Sequence, residues 1–498
     1  MFRQTSTIAV LVLSSALAEA GEIRPTYPIT ATLAGNQDFV ACSRAQNGDT
    51  LTAWRSADAA QTNYLKRVDA KGAVIGATEN LPLPANTISV SANKVGGFVV
   101  LTSRQNGAYT DLYASVYNRS GALTVAPVRV NDSAHQGSTG IVKVARDGSF
   151  AVAWQTWGNF VPQRAYLKRF HSNGVAMTTQ KLIVTSGNLS VRGVDTDAAG
   201  NVVVGYWATD GSRYDTWAAR YSTTSDWMYA PVRVNTYLGQ RQWGGALSMN
   251  TYGHYATTWA AYNQDGAGFS TYAQLFTPDG SRNGFPVKVS TALSNNETAP
   301  GIALFDNNSF AVAWNEDLAS KLTIKLRQAN YNGTFVGSEM TVSPGLPFVN
   351  PWALCADTSG NIAVNWRDYQ TVPTARADVY SHDYLADTMP PVTSLQNNQQ
   401  VSNLSDAAGG WKYFKIDVPA GATTMRLNLT SLVQPSSGNA DLYLRYGALP
   451  FSNAWDTRTT TVGNNEGLTI NNPPPGTFYI GVYGQAAYSS ATLGVSWY

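Results

Sequence analysis

The chain has 498 residues, 44% of them hydrophobic and 13% charged, with a formal net charge of +2. The apolar content can build ordinary cores and argues against disorder. The near-neutral balance, with no Lys/Arg stripe, argues against nucleic acid as a partner.

In chain order, residues 1–20 carry an early Arg3, an apolar run from Ile8 to Ala18 and small residues at Ala18 and Ala20. That pattern reads as a secretory signal, with the mature chain starting at Gly21. No later apolar run has the length of a membrane span.

Residues 21–385 are patterned on one stretch, DGSFAVAW, Asp147 to Trp154. A tight Asp-Gly turn leads into a strand in which Phe150, Val152 and Trp154 share one face and Ala151 and Ala153 the other, the alternation of a half-buried strand. Equivalent stretches end at Trp54, Thr102, Tyr206, Trp259, Trp314 and Trp366, so the seven ends lie 48, 52, 52, 53, 55 and 52 positions apart. Self-similarity at such a period marks an array of small sheets.

Each repeat offers four strand candidates, in the third repeat GIVKVA, SFAVAW, AYLKRF and KLIVT. The expected fold class is therefore all-β, with residues 21–385 forming a seven-bladed β-propeller. The seventh repeat runs out before a fourth strand, and PITATL from Pro28 resembles the fourth strands PVRVN and PVKVS. Residues 28–33 are thus expected to complete the last blade and remove an exposed sheet edge. The recurrent Trp is expected to fill the space between neighbouring blades, with Thr102 and Tyr206 breaking the pattern. Cys42 and Cys355 precede the turns of the first and last repeats, so either a disulfide joins them or both are buried thiols.

Short Gly- and Asn-bearing turns should form one plain face. The longer second-to-third and fourth-to-first connections share the opposite rim, where function is expected. Its candidate ligand-binding side chains are Trp157, Trp207, Tyr214, Tyr237, Arg241, Trp243, Tyr262 and Tyr369: aromatic faces stack on sugars, and an Arg fork can hold carboxylates. Its acids are Asp210, Asp265, Glu297, Glu316, Asp317 and Asp368. Glu316, Asp317 and Asp368 directly follow an anchoring Trp in adjacent repeats, which makes them the candidate catalytic carboxylates of a carbohydrate-cleaving site.

After the linker 386–391 the repeat is lost, and residues 392–498 read as a separate domain with strands at WKYFKIDV, MRLNLTS, ADLYLRYG, TFYIGVYG and TLGVSWY. The runs WKYFKIDVPAGATTMRLNLT, SGNADLYLRYG, GNNEGLTI and PPGTFYIGVYGQAAYSSATLGVSW resemble the bacterial pre-peptidase C-terminal domain. That resemblance implies a jelly-roll-like β-sandwich on secreted bacterial proteins, often proteases, where it assists export or attachment. It also makes calcium the one cofactor to consider, with Asp441, Asp456 and Glu466 as oxygen ligands. The family's Cys pair is missing from WDTRTTTVGNNEGL. The repeats themselves bear a looser similarity to tryptophan-bearing β-propeller repeats of secreted bacterial proteins, which transfers no site.

No protease motif is found. HExxH and GxSxG are absent, His135, His171, His254 and His382 fall in different repeats, and GNLSVRG around Ser190 has the wrong spacing for a nucleophile elbow. Sialidase boxes do not fit either, since Gly148 and Trp154 are six positions apart. The expectation is a secreted binding protein whose rim recognises an extracellular polysaccharide or surface protein and whose C-terminal domain aids export or attachment. The alternatives are a carbohydrate-active hydrolase or lyase using rim carboxylates, and a self-assembling structural component.

Overall fold

The computed structural model describes residues 21–30, 37–56, 62–76, 80–84, 87–107, 109–132, 138–156, 162–210, 213–224, 226–237, 239, 241–266, 268–292, 296–318, 321–330, 333–343, 352–369, 377–385, 392–408, 410–431, 438–446, 450 and 455–498. The expected signal at 1–20, the linker 386–391 and Trp157 lie outside them.

Local turn chemistry builds the repeating unit. In the third sheet Ser138–Val144, Phe150–Thr156, Gln163–Phe170 and Lys181–Ser186 pair antiparallel in chain order. Gly148 takes φ 88° between the first two strands, while the Ala145 N–H donates to the Ser149 carbonyl at 2.7 Å and the Asp147 carboxylate accepts from the Ser149 N–H at 2.9 Å. A left-handed position of this kind selects Gly, or an Asn whose short amide tolerates it. Asn308, at φ 64°, fills it in the sixth sheet.

Seven such sheets follow one another, with first strands Gln37–Arg44, Thr87–Ala92, Ser138–Val144, Leu189–Thr196, Gln242–Met249, Asn296–Leu304 and Trp352–Ala356. The seventh takes its fourth strand from the other end of the chain: Gly21–Pro28 pairs antiparallel with Ala377–Leu385, from Gly21 opposite Leu385 to Pro28 opposite Tyr380. This edge strand stops where the expected 28–33 strand was to begin, and residues 31–33 lie outside the described residues.

Each buried Trp packs onto the sheet before its own. Trp54, Trp154, Trp259, Trp314 and Trp366 are all 1% exposed or less. Trp154 joins Val99, Leu101, Leu112 and Ala114 of the second sheet, and Trp54 joins Ile29 and Val379 of the seventh. Four of these Trp rings stack on a cross-strand Tyr (Tyr64, Tyr166, Tyr272 or Tyr380), with centroids 5.5–6.1 Å apart. In the fourth sheet the pair is inverted, Tyr206 standing opposite Trp217. The aromatic volume is kept while the order along the chain changes.

Buried arginines add polar ties. The Arg67 guanidinium donates to the Arg119 carbonyl at 3.0 Å, and Arg220 donates to the Gly253 and Pro278 carbonyls at 2.7 and 2.5 Å and to the Asp197 carboxylate at 2.7 Å. Each reaches from a third strand into turns of the next sheet. A disulfide joins Cys42 of the first sheet to Cys355 of the seventh, with Cα atoms 5.7 Å apart across a sequence separation of 313.

The seven-bladed β-propeller expected from the repeat is corrected by the sheet topology. Residues 21–385 form separate four-stranded antiparallel sheets, and among the described residues no ladder continues from one sheet into the next or curls a sheet closed. The likeness to propeller repeats falls with it. Period and turn chemistry dictate how many strands pair and in what order; they carry no information on closure.

The jelly-roll-like β-sandwich expected at 392–498 is corrected in the same way, to two separate sheets. One is five-stranded and mixed, in spatial order Val392–Leu395, Trp411–Val418, Gly476–Ala486, Asn439–Tyr446 and Thr457–Thr459, with its first pair parallel. The other is four-stranded and antiparallel, in order Gln399–Asp406, Tyr488–Trp497, Thr424–Ser431 and Glu466–Asn471. Thr424–Ser431 alternates buried and solvent-facing residues, and its inner Met425, Leu427 and Leu429 join Leu442, Leu444, Ile480 and Val482 of the other sheet in one apolar cluster. Tyr252, in a turn of the fifth sheet, packs against Tyr413, Trp411 and Tyr479 and lies under the Arg445 guanidinium at 4.5 Å.

Candidate functional site

The first strands of all seven sheets line one cavity of about 960 Å³, a volume suited to a small ligand or a short stretch of polymer. Its wall mixes apolar side chains such as Ile88, Ile141, Leu247 and Ile302 with Ser43, Ser89, Ser91, Ser248 and charged residues. Cys42 and Cys355 are part of it, so the disulfide braces the wall directly.

Aromatic residues gather where the fourth and fifth sheets meet. Trp207 and Trp243 both line the cavity. Tyr214 meets the Trp207 ring edge-on with centroids 5.1 Å apart; Phe269 stacks on Trp243 at 4.7 Å, and Tyr262 tilts against Phe269 at 5.0 Å. Register produces this grouping, because Trp243 stands opposite Ala260 and Tyr262 opposite Phe269 on consecutive strand pairs. Gly244 lets the two sheets approach: a Cβ there would meet the Trp207 side chain at 3.2 Å. The Trp207 indole N–H is buried without a hydrogen-bond partner. Trp243 and Tyr262 are 38% and 42% exposed, so the cluster presents aromatic faces to solvent.

The remaining candidates are more scattered. Tyr237 is half-buried, with its carbonyl accepting from the Asn235 amide at 3.0 Å, and the exposed Arg241 offers its carbonyl to the Tyr262 N–H at 3.0 Å. Tyr369 and Asp368 lie on Asn361–Tyr369, and their side chains, like that of Asp210, lie outside the described residues.

Of the candidate catalytic carboxylates, Glu316 and Asp317 lie on Phe310–Leu318 of the sixth sheet, while the side chain of Asp368 lies outside the described residues. Glu316 is 6% exposed and 3.5 Å from Lys325 Nζ, and it stands opposite Glu297 across the ladder, with Asp317 opposite Asn296. Glu297 is fully buried, its carboxylate accepting from the Thr271 N–H at 3.0 Å and from the Ser290 hydroxyl. Asp265 is tied to Lys288 at 2.6 Å.

Burial pushes the Glu297 carboxyl up to about 7, against the hydrogen bonds from Ser290 and Thr271. A raised carboxyl pKa stabilises the fold fully below the unfolded value and loses that stabilisation as pH rises through the folded value. From the ordinary value of 4.5 to about 7, the loss is about 3 kcal/mol. Denaturant titrations at pH 4 and pH 8 are therefore expected to show the wild type losing about 3 kcal/mol more than Glu297→Gln; equal losses would remove this group from the pH dependence.

Charged residues in the described cavity wall are Arg44, Lys143, Arg192, Asp195 and Asp357. Lys143 Nζ lies 3.0 Å from Asp195, and Arg44 Nε lies 3.9 Å from Asp357. Burial holds the Asp357 carboxyl above its ordinary value, while bonds from Asn361 and Ser359 pull it down. Arg192 is left over. Its side chain is open to the cavity and hemmed in by protein, and burial alone lowers its guanidinium from its ordinary value.

Sequence reasoning missed Arg192 and Phe269. Phe269 could have been found as the aromatic facing Tyr262 across the second-to-third connection. Arg192 was hidden because a register shift falls between Val191 and Gly193. Strand alternation does not hold at a bulge, which re-aims the extra residue.

In the C-terminal sheets, Asp441 and Glu466 are both buried, and burial with the neighbouring Glu466 pushes the Asp441 carboxyl up to about 6. Glu466 already accepts from the Thr459 hydroxyl and, at 2.8 Å, from the Thr461 hydroxyl. Asp456 is exposed and accepts from the Tyr446 N–H at 2.7 Å. Calcium takes six to eight oxygens, and among the described residues no three His, Cys, Asp or Glu side chains come together. Among the described residues, Asp441, Asp456 and Glu466 do not assemble a calcium centre.

Residues 412–484 match the family described as the bacterial pre-peptidase C-terminal domain. The chain is 38% identical over 106 residues to alkaline serine exoprotease A of Vibrio alginolyticus, covering 21% of this chain and 19% of that one. It is 36% identical over 104 residues to an extracellular protease of Xanthomonas campestris pv. campestris, covering 21% and 17%. The chain thus spans about a fifth of the length of these two relatives. Among solved structures, the polysaccharide lyase Uly1 aligns at 11% identity over 72% of this chain and 91% of that one, with TM-score 0.43. The C-terminal hundred residues of vEP align at 32% identity over 21% and 98%, with TM-score 0.19.

These findings define a secreted, multidomain, extracellular bacterial protein that carries a pre-peptidase C-terminal domain. Among the described residues no helix is long and apolar enough to cross a membrane.

Proposed function

We propose that the seven-sheet part of the protein engages a polysaccharide outside the cell, with the aromatic end of its cavity as the docking point, and that the C-terminal domain aids export or attachment. The observation that carries this reading is the placement of Trp207 and Trp243 on one cavity, with Tyr214, Phe269 and Tyr262 against them. Flat apolar faces with polar edges suit the C–H faces of sugar rings.

A second reading, cleavage of that polysaccharide, is favoured by Asp195 and Asp357, two carboxylates lining the same cavity. It would replace Glu316 and Asp317 as the candidate acids. The names of the matched proteases come from chains that this one covers only over about a fifth of their length, and they supply no substrate here.

The test is binding of the full chain to a glycan array, with product analysis on every hit. Trp243→Ala is expected to weaken binding by roughly 30-fold, the loss of an aromatic anchor worth about 2 kcal/mol, while Glu316→Gln leaves it unchanged. Unchanged binding by Trp243→Ala would remove the docking point. Soluble products abolished by Asp357→Asn would select the second reading.

A further inference from the structure

Arg192 stands apart from every other charge in the cavity wall. Of the five charged residues lining it, Lys143 pairs with Asp195 and Arg44 with Asp357. Among the described residues no hydrogen bond or ion pair reaches the Arg192 guanidinium. Among the described residues the cavity wall therefore carries one uncompensated positive charge.

Among the described residues, register shifts fall at the equivalent place in the first strands of the first, second, fourth, fifth and sixth sheets, and in the fourth an Arg occupies it. Arg192 is the extra residue of a bulge in Leu189–Thr196, and bulges serve to re-aim a side chain. At the corresponding level of the neighbouring first strands the wall carries Ile88, Ile141, Ala246 and Pro300. A guanidinium beside apolar and small side chains in a concave wall is partly desolvated, which strengthens its attraction for an entering anion. Arg192 is solvent-exposed within the cavity, so an entering anion can reach its guanidinium. The planar guanidinium presents paired N–H donors whose spacing matches a carboxylate. On the next strand of the same sheet, Trp207 supplies an aromatic face to the cavity.

We infer that Arg192 anchors a carboxylate-binding subsite and that the polysaccharide engaged by this cavity is a uronate-bearing one. This rests on the docking point proposed above and adds the charge of its ligand. No covalent step is involved: the carboxylate enters with its counter-ion released to solvent, and its two oxygens accept from the guanidinium.

The experiment is calorimetric titration of the full chain with three probes: an oligogalacturonate, the same oligosaccharide fully methyl-esterified, and a sulfated galactan oligosaccharide. The wild type is expected to bind the free acid roughly 10–100-fold more tightly than the ester, the range of a hydrogen-bonded charge pair. Arg192→Met is expected to abolish that preference with its thermal unfolding unchanged, and Arg192→Lys to restore only part of it. Equal binding of acid and ester, weakened by Trp243→Ala but not by Arg192→Met, would overturn the subsite and leave the docking point standing. A preference for the sulfated probe would overturn the carboxylate assignment. No binding of any probe by the folded wild type would overturn both.

Discussion

Trp154→Ala is expected to lower the stability of the seven-sheet part by about 3–5 kcal/mol, the cost of truncating a large buried aromatic. Trp154 is fully buried, and Val99, Leu101, Leu112 and Ala114 of the preceding sheet pack around it. The packing of the second sheet on the third depends on that volume. Stacking on Tyr166 at 5.5 Å adds about 0.5–1.5 kcal/mol beyond the area buried. The indole N–H has no hydrogen-bond partner, so its removal leaves no buried acceptor stranded and the loss is one of packing. Denaturant titration of the full chain measures the effect. Trp455→Ala, at a 40% exposed ring beneath Arg458, is the control and should cost about 1 kcal/mol or less. Equal losses from the two variants would refute inter-sheet packing by the recurrent Trp.

Removing the disulfide with paired Cys42→Ser and Cys355→Ser changes is expected to cost about 2–5 kcal/mol. The cross-link closes a stretch of 313 residues and ties the first sheet to the seventh, so the unfolded chain gains much freedom when it is lost. The same wall lines the cavity, and ligand affinity should fall along with stability. Thermal unfolding with and without reductant measures this: the wild type should lose stability on reduction, and the double variant should be insensitive. A wild type indifferent to reductant would show that the cross-link contributes nothing.

The parts of the molecule legible in the sequence are those that local rules dictate. Asp147 and Gly148 announce the turn because the left-handed position between two strands demands Gly or Asn, and the alternation from Phe150 to Trp154 announces the strand. Sheet arrangement is not local. The repeat period spoke to strand count and order, and the step from there to a closed propeller, argued from the seventh repeat's missing fourth strand, went beyond what strand pairing dictates, just as the alternation in Thr424–Ser431 could not foretell a mixed sheet with Val392–Leu395 parallel to Trp411–Val418.

The candidate site divides along the same line. Trp207, Trp243 and Tyr262 were visible as aromatics on variable connections, and register brings them into one cluster. Glu316 is a candidate because it follows a Trp, and strand pairing places it beside Lys325 and opposite Glu297, surroundings that the sequence does not reveal. Arg192 was invisible because a bulge suspends the alternation by which its direction would be read.

A crystal structure of the full chain with a bound oligosaccharide tests the central claim most directly. The expected result is sugar rings lying against Trp207 and Trp243, with a charged substituent directed at Arg192. Ligand seated on the C-terminal sheets, with the cavity holding only water, would contradict it.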